Sequence, residues 1–321
     1  RRPHQKEPSL MAGESSTSNA AWIGNGAFAT DRPQQLLWDS VSIGAFKTCP
    51  RKYQLSIIEG WQQTSAEALD FGIAYHAAHE EFAKAFALNP DPEAALHAAV
   101  LLAFRISAAP SWQSHTNRRN RYALLRAIVW YYETYPVTTD SLHTLILADN
   151  KPAVELSFKF PITDRYVYSG HLDRLVVFQD QVWVLDYKST GSSMTSHFFS
   201  QFRPDTQMSG YSLAGQIAFS QPTAGVIIDG CQLLVGSAAF SRSFSPRTED
   251  ELDLWLSDLT EWWLPLAEAC ANNGHWPMND KACSMYGGCQ FRSICSMPRK
   301  MQPAFLASNF TRKVWDPSIP R

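Results

Sequence analysis

The chain has 321 residues, 28 Lys+Arg against 30 Asp+Glu for a net charge of −2, 45% apolar and 12% aromatic residues, and six cysteines. Those figures exclude a disordered chain, which would carry fewer apolar residues and more net charge, and a small disulfide-stapled module, which would be shorter and richer in cysteine. No run of about 18 apolar residues is present to span a bilayer, and near-zero charge gives no global hint of nucleic acid, so such a partner must be read from local patches.

Residues 1–35 are rich in Ser, Asn, Pro and Gly, lack apolar periodicity and read as a disordered tail, with Met11-Ala12-Gly13 a candidate start. No cleavable apolar segment is visible, which makes a reducing cytoplasm the expected compartment. The first ordered segment runs from Trp38 to Trp61, with Ser42 as expected N-cap of a short helix through Phe46 and Pro50 interrupting it. An amphipathic helix is expected over 66–87, then helices at 92–109 and 117–135. After Pro152 the pattern turns to Val, Leu, Phe and Tyr, and strands are expected at 153–161, 166–178 and 182–188. A helix at 203–219, strands near 224–235 and 237–244, and a long helix at 248–272 follow. The last fifty or so residues read as irregular.

The most informative stretch is SGHLDRLVVFQDQVWVLDYKST, residues 169–190. Gln179-Asp180 reads as a two-residue hairpin turn flanked by Phe178 and Gln181. In that register Asp173 faces Asp186, at a Cβ separation of roughly 4.5–5.5 Å. Lys188, two residues on, points to the same face. Both faces are otherwise largely apolar, Arg174 being the polar exception, so the hairpin should be buried on both sides. Two opposed carboxylates in such a place repel unless a cation or proton lies between them. A divalent metal is one solution; a structural Asp–Lys pair at a strand end is the other.

Gly170-His171-Leu172-Asp173 followed by Asp186-Tyr187-Lys188 resembles the PD-(D/E)XK nuclease superfamily, and most of all its RecB-like branch, which includes CRISPR-associated adaptation nucleases and helicase-linked nuclease domains. The resemblance implies an α/β restriction-endonuclease-like core: a central mixed sheet, a helical cap insertion at 77–150, and one nuclease domain over 36–321. It implies that Asp173 and Asp186 bind Mg²⁺ or Mn²⁺, that Tyr187 offers its backbone carbonyl, and that Lys188 orients the attacking water. Phe71-Gly72-Ile73-Ala74-Tyr75-His76 resembles the family's G-x-x-x-H helix, which makes His76 a further metal ligand; His79 lies one turn on and could be confused with it. Glu155 matches an acidic residue on the preceding strand, and Gln207 and Tyr211, on one helix face at i, i+4, match the Q-x-x-x-Y element.

Cys283, Cys289 and Cys295 are evenly spaced, and Cys49 lies far upstream. One distant cysteine plus a C-terminal trio, here in a Cys-rich segment at 275–298, resembles the Fe–S members of that branch and implies a [4Fe–4S] cluster stapling the chain ends. Zinc is the chemical runner-up, although zinc sites more often use C-x₂₋₄-C pairs. Cys231 and Cys270 read as core thiols. Arg118, Arg119, Arg121 and Arg126 beside Trp130, Tyr131 and Tyr132 form one basic–aromatic patch. Arg51, Lys52, Arg292, Arg299, Lys300, Arg312 and Lys313 lie near the cysteines in sequence; basic groups with aromatics can track a nucleic-acid backbone and stack unpaired bases, or be solvated surface with the aromatics in the core. The expected activity is metal-dependent hydrolysis of DNA, exonucleolytic on single-stranded or end-bearing substrates in recombination, repair or phage DNA processing. A separate helicase or recombination protein is the expected partner. The alternative is an inactive DNA-end-binding or helicase-partner scaffold.

Overall fold

A computed structural model describes residues 26–29, 32–63, 67–114, 116, 118–219, 222–317 and 319. Residues 1–25 of the expected tail lie outside the described residues. From Gly26 onward the described chain is ordered: Phe28 bridges Gln35, and Gln34 and Gln35 are buried.

In chain order the elements are β1 (Leu37–Trp38), α1 (Ser40–Thr48), α2 (Pro50–Tyr53), β2 (Trp61–Gln62), α3 (Glu67–Leu88), α4 (Pro92–Ile106), α5 (Arg121–Thr134), β3 (His143–Thr144), β4 (Val154–Pro161), β5 (Val167–Phe178) and β6 (Gln181–Thr190). Then come α6 (Ser196–Ser200), α7 (Thr206–Phe219), β7 (Thr223–Leu233), β8 (Ala238–Pro246), α8 (Glu249–Ser257), α9 (Leu264–Asn273), α10 (Arg292–Cys295), α11 (Gln302–Asn309) and β9 (Thr311–Arg312). Among the described residues seven strands form one mixed sheet in the order β1-β5-β6-β7-β8, with β3 and β4 also on β5. The β1–β5 and β6–β7 pairs are parallel and the others antiparallel.

The hairpin register is the one read from the sequence, Phe178 opposite Gln181 and Arg174 opposite Leu185. Gln179 and Asp180 both take positive φ, +49° and +60°, the signature of a type I′ turn whose twist matches that of the strands. Strand alternation feeds two cores. Leu175, Val184, Val226 and Ile228 pack on one face against α1, α7, α8 and α9, with Phe46, Met208, Tyr211 and Trp255. Val176, Trp183, Leu185 and Ile227 pack on the other against α3, α4 and α5, with Phe71, Tyr75, Ala99 and Ile128. Glycine permits close approach at two places: a Cβ on Gly170 would meet the Phe158 ring at 2.7 Å, and one on Gly210 would meet the Tyr168 hydroxyl at 2.2 Å. The second sets α7 directly on β5.

Two helix expectations are corrected and one holds. Asp39, not Ser42, caps α1; Ser42 sits at the third helical position and closes a capping box, its amide donating to Asp39 Oδ1 (2.8 Å) and its hydroxyl accepting from the Asp39 amide (3.1 Å). Pro50 interrupts the helix as expected: α1 ends at Thr48, Cys49 is extended (φ −166°, ψ 113°), and Pro50 starts the separate α2, where its missing N–H costs nothing. The long helix expected at 248–272 is divided by a π-helical stretch, Asp258–Trp263, immediately before Pro265, which cannot donate to the ladder behind it. The C-terminal region is less irregular than expected. A small core of Leu55, Phe291, Ile294, Leu306 and Phe310 forms there, and β9 pairs with β2.

Candidate active site

The β5–β6 ladder runs to Arg174↔Leu185. One residue further, the same register sets Asp173 opposite Asp186, and the next strand amide, that of Tyr187, donates to the side chain of Asp173 (Oδ2, 2.9 Å). Both carboxylates are buried. From α3, His76 reaches the same spot: Nδ1 lies 3.1 Å from Asp173 Oδ1 and Nε2 lies 2.8 Å from the Tyr187 carbonyl. A carbonyl only accepts, so Nε2 carries the proton, and Nδ1 is the atom presented to the acids. On the other side Lys188 Nζ lies 2.5 Å from Asp186 Oδ2 and donates to Gln207 Oε1 (3.0 Å). Gln207 Nε2 donates in turn to the Tyr211 hydroxyl (2.9 Å).

Glu155 completes the group. In register it falls opposite Asp173, between the rungs Val154↔Arg174 and Leu156↔Leu172. It adopts φ +46°, a left-handed conformation costing of order 1–3 kcal/mol for a non-glycine residue. One ligand atom each from His76, Glu155 and Asp173 lie within 4.8 Å of one another. All seven side chains (His76, Glu155, Asp173, Asp186, Lys188, Gln207 and Tyr211) line one cleft of about 390 Å³, whose remaining wall is α3, with Leu69, Gly72, Ile73 and the acidic Glu80. A larger hollow of about 1000 Å³ adjoins it and shares Gln207. There Arg203 pairs with Glu251, and Lys47 donates to Thr206 Oγ1 (3.1 Å).

The electrostatics follow from burial opposed by pairing. Burial pushes Asp173 up, but His76 and Lys188 outweigh it and hold the carboxyl below its usual range. Burial pushes Asp186 up to about 6; Lys188 opposes the rise and the charge of Asp173 adds to it. Burial favours neutral His76 and neutral Lys188, yet the facing carboxylates raise both. Lys188 is therefore a cation at neutral pH, not a base.

Hydrogen bonds bring the segment that leads to Cys283 against Cys49 and the start of α2. The Asn279 amide donates to Cys49 Sγ (3.3 Å), the Asn279 side chain donates to Thr48 O (2.9 Å), and the Arg51 amide donates to Pro277 O (3.1 Å). These bonds carry the 277–283 strip against the start of α2. The Cys289 amide donates to Cys283 O (3.0 Å). Burial raises the Cys295 thiol; Arg51 opposes, and Cys289, Cys49 and Cys283 add to the rise, so the sulfurs are close enough to feel one another. All six cysteines are free thiols, with Cys231 and Cys270 buried in the two main cores.

The first basic–aromatic patch divides. Tyr131 is buried and Tyr132 packs inward on Phe82. Arg121 donates to Ser107 O and covers Phe104, while Arg126 donates to Gly236 O and covers Trp130. Arg118 and Arg119 reach Gly191, just beyond the end of β6. Sequence reasoning missed a buried polar network behind the acids: Arg174, His79, Asp229 and Arg242. Its one visible signal was Arg174, a charge in an otherwise apolar strand.

A family profile described as the PD-(D/E)XK nuclease superfamily matches residues 41–296. No curated protein matches the chain. Among solved structures, the crystal structure of SSO0001 is similar at 13% identity over 57% of this chain and 74% of that one, with a TM-score of 0.24. The family match spans most of the sequence, and the chain belongs to the PD-(D/E)XK nuclease superfamily.

Proposed function

We propose that this PD-(D/E)XK protein is a metal-dependent DNA nuclease working exonucleolytically on single-stranded or end-bearing DNA, in recombination, repair or phage DNA processing beside a separate helicase or recombination protein. The observation that carries the hydrolytic reading is the meeting of Asp173, Asp186 and Lys188 where β5 and β6 part, with His76 and Glu155 closing the ring. The choice of DNA ends rests on the RecB-like resemblance of the sequence.

The donor set suits a divalent cation. Asp173 and Glu155 supply hard oxygen donors beside His76, Asp186 lines the same cleft paired with Lys188, the Tyr187 carbonyl accepts from His76, and the nitrogen of His76 makes Mn²⁺ as suitable as Mg²⁺. Bound there, such an ion offsets phosphate charge and lowers the pKa of a coordinated water. The chain's own groups do the rest. Asp186 and Gln207 fix the Lys188 ammonium at the cleft, where it stabilises growing negative charge on a phosphate and orients water. Tyr211 fixes which end of the Gln207 amide faces Lys188.

Cys49, Cys283, Cys289 and Cys295 are proposed to hold a [4Fe–4S] cluster. Four thiolates are the usual ligand set of such a cluster and also suit tetrahedral zinc, so metal analysis decides between the two. A reducing cytoplasm fits free thiols. No described helix is long and apolar enough to cross a membrane.

The test is cleavage of single- and double-stranded DNA in Mg²⁺ or Mn²⁺ by the wild type and by Asp186→Ala and Lys188→Ala, with iron and sulfide analysis of anaerobically purified protein. Both variants should fold and fail to cleave. Normal cleavage by Lys188→Ala sinks the assignment; an inert wild type with intact DNA-end binding supports the scaffold alternative.

A further inference from the structure

Tyr187 is gripped at every group it offers. Its amide donates to Asp173 Oδ2 (2.9 Å) and its carbonyl accepts from His76 Nε2 (2.8 Å). Strand alternation sends its side chain through to the opposite side of the sheet, away from Asp186 and Lys188. There the ring lies flat on His79, with centroids 4.2 Å apart and planes 9° apart, and the rings of Tyr75 and Tyr131 stand edge-on around it. Its hydroxyl accepts from Arg174 Nη1 (3.3 Å), and Arg174 Nε is anchored on Thr144 Oγ1 (2.9 Å). His79 is held by Tyr132, whose hydroxyl lies 2.9 Å from Nδ1, and is almost wholly buried.

The two histidines stand one turn apart on α3. One holds the Tyr187 peptide and the other holds its ring, so one helix grips this residue by both backbone and side chain. Ring and carbonyl are joined through a single Cα. Fixing the ring plane and the hydroxyl therefore fixes the orientation of the two peptide units that carry Asp186 and Lys188. We propose that His79 and Arg174 are positioning residues of the metal site, acting through the side chain of Tyr187. This rests on the reading of the acid cluster as a metal centre.

The experiment measures Mn²⁺ binding to the full chain by electron paramagnetic resonance of the free ion, beside thermal unfolding. The variants are His79→Leu, His79→Phe, Tyr187→Phe, Arg174→Met and Leu124→Ala, the last a truncation in the same core on α5. His79→Leu should weaken Mn²⁺ binding about tenfold or more, the usual consequence of removing a group that orients metal ligands. His79→Phe, which keeps a flat ring against Tyr187, should restore most of that affinity. Tyr187→Phe and Arg174→Met should show smaller losses. Leu124→Ala should lower the melting temperature with Mn²⁺ binding unchanged. Equal affinity in wild type and His79→Leu overturns the proposal, as does a loss in Leu124→Ala matching that in His79→Leu. A wild type that binds no Mn²⁺ overturns this proposal together with the metal-centre reading, whereas a binding wild type with an unaffected His79→Leu overturns this proposal alone.

Discussion

Arg242 offers the sharpest test of the buried polar network. Its guanidinium donates to Asp229 Oδ2 (Nε, 2.9 Å), to both oxygens of Asp140 (2.7 and 2.9 Å) and to the Tyr131 hydroxyl (2.8 Å), and lies 3.7 Å from the centroid of Tyr135. Asp229 is 1% exposed, and its Oδ1 has no hydrogen-bond partner among the described residues. One cation thus serves two carboxylates. At a charge separation of about 4 Å and an effective dielectric of about 20, each attraction is worth about 4 kcal/mol, less the desolvation of the arginine. Arg242→Met keeps the aliphatic stem and strands Asp229, so the expected loss of stability is about 3–5 kcal/mol at pH 7 in urea unfolding followed by circular dichroism. Burial already raises the Asp229 carboxyl against the pull of Arg242 and Tyr131, and without Arg242 it rises further. A carboxyl raised in the folded state costs stability above its folded pKa, and the cost fades as pH falls toward the unfolded value near 4. The deficit of the variant should therefore narrow from pH 8 to pH 5. Adding Asp229→Asn should recover about 2 kcal/mol or more, since most of the penalty is a stranded charge. A loss below about 1 kcal/mol, or one that Asp229→Asn leaves untouched, refutes the reasoning.

Glu155→Asn should keep the fold, because Asn tolerates the left-handed backbone at that position, yet weaken Mn²⁺ binding about tenfold or more; calorimetric titration showing unchanged affinity removes Glu155 from the site. Tyr211→Phe frees the Gln207 amide to turn, and loss of one hydrogen bond worth about 0.5–1.5 kcal/mol should slow cleavage about two- to tenfold with metal affinity intact; a rate equal to wild type places Tyr211 outside the reaction. Burial lifts the Cys231 thiol to about 12 from its ordinary 9. Between those values only the unfolded chain ionises, so stability is lost as pH rises, by about 1.4 kcal/mol at pH 10; parallel pH 8 and pH 10 unfolding of wild type and Cys231→Ala should differ by that amount, and identical shifts would contradict a buried neutral thiol.

The β5–β6 hairpin was legible because two independent signals agreed. A two-residue turn fixed the register, and apolar alternation fixed the faces. The gathering of Asp173, Asp186 and Lys188 follows from those two facts. The approach of His76 does not, because nothing in α3 says where a helix will lie on a sheet; that part came from the spacing of the G-x-x-x-H motif. The motif resemblance selected His76 over His79 one turn on, and the structure takes His76 to the Tyr187 carbonyl and His79 to the Tyr187 ring. Glu155 looked like one polar residue on an alternating strand, and its left-handed backbone has no sequence signal, since nothing marks the position with Gly or Asn. Beside the arginines, Tyr131 and Tyr132 left two readings open, a nucleic-acid patch or core aromatics beneath solvated arginines. They belong to the core because Asp229 and His79, remote in sequence, supply their hydroxyl partners.

The D-x-K spacing has a structural consequence beyond chemistry. In a strand, two is the shortest separation that places two side chains on one face, so a cation beside a carboxylate requires one residue between them. That residue must enter the core on the other side of the sheet, and its peptide groups must still face the acids. Its side chain is therefore free to vary in kind but not to move. Here it is a tyrosine walled by four other aromatic or cationic side chains, Tyr75, His79, Tyr131 and Arg174. A small residue at this place would leave the strand between Asp186 and Lys188 held by backbone bonds alone: its ladder to β7, the amide on Asp173 and the carbonyl on His76. A large one anchored on α3 joins the placement of His76 to the placement of both charges. The helix that walls the cleft with Leu69 and Ile73 is then the same body that fixes the strand beneath it. Shifting β6 by one residue would exchange the two roles, burying Lys188 in the aromatic core and turning Tyr187 into the cleft, which is why the register of this hairpin, more than any one side chain, decides whether a site exists.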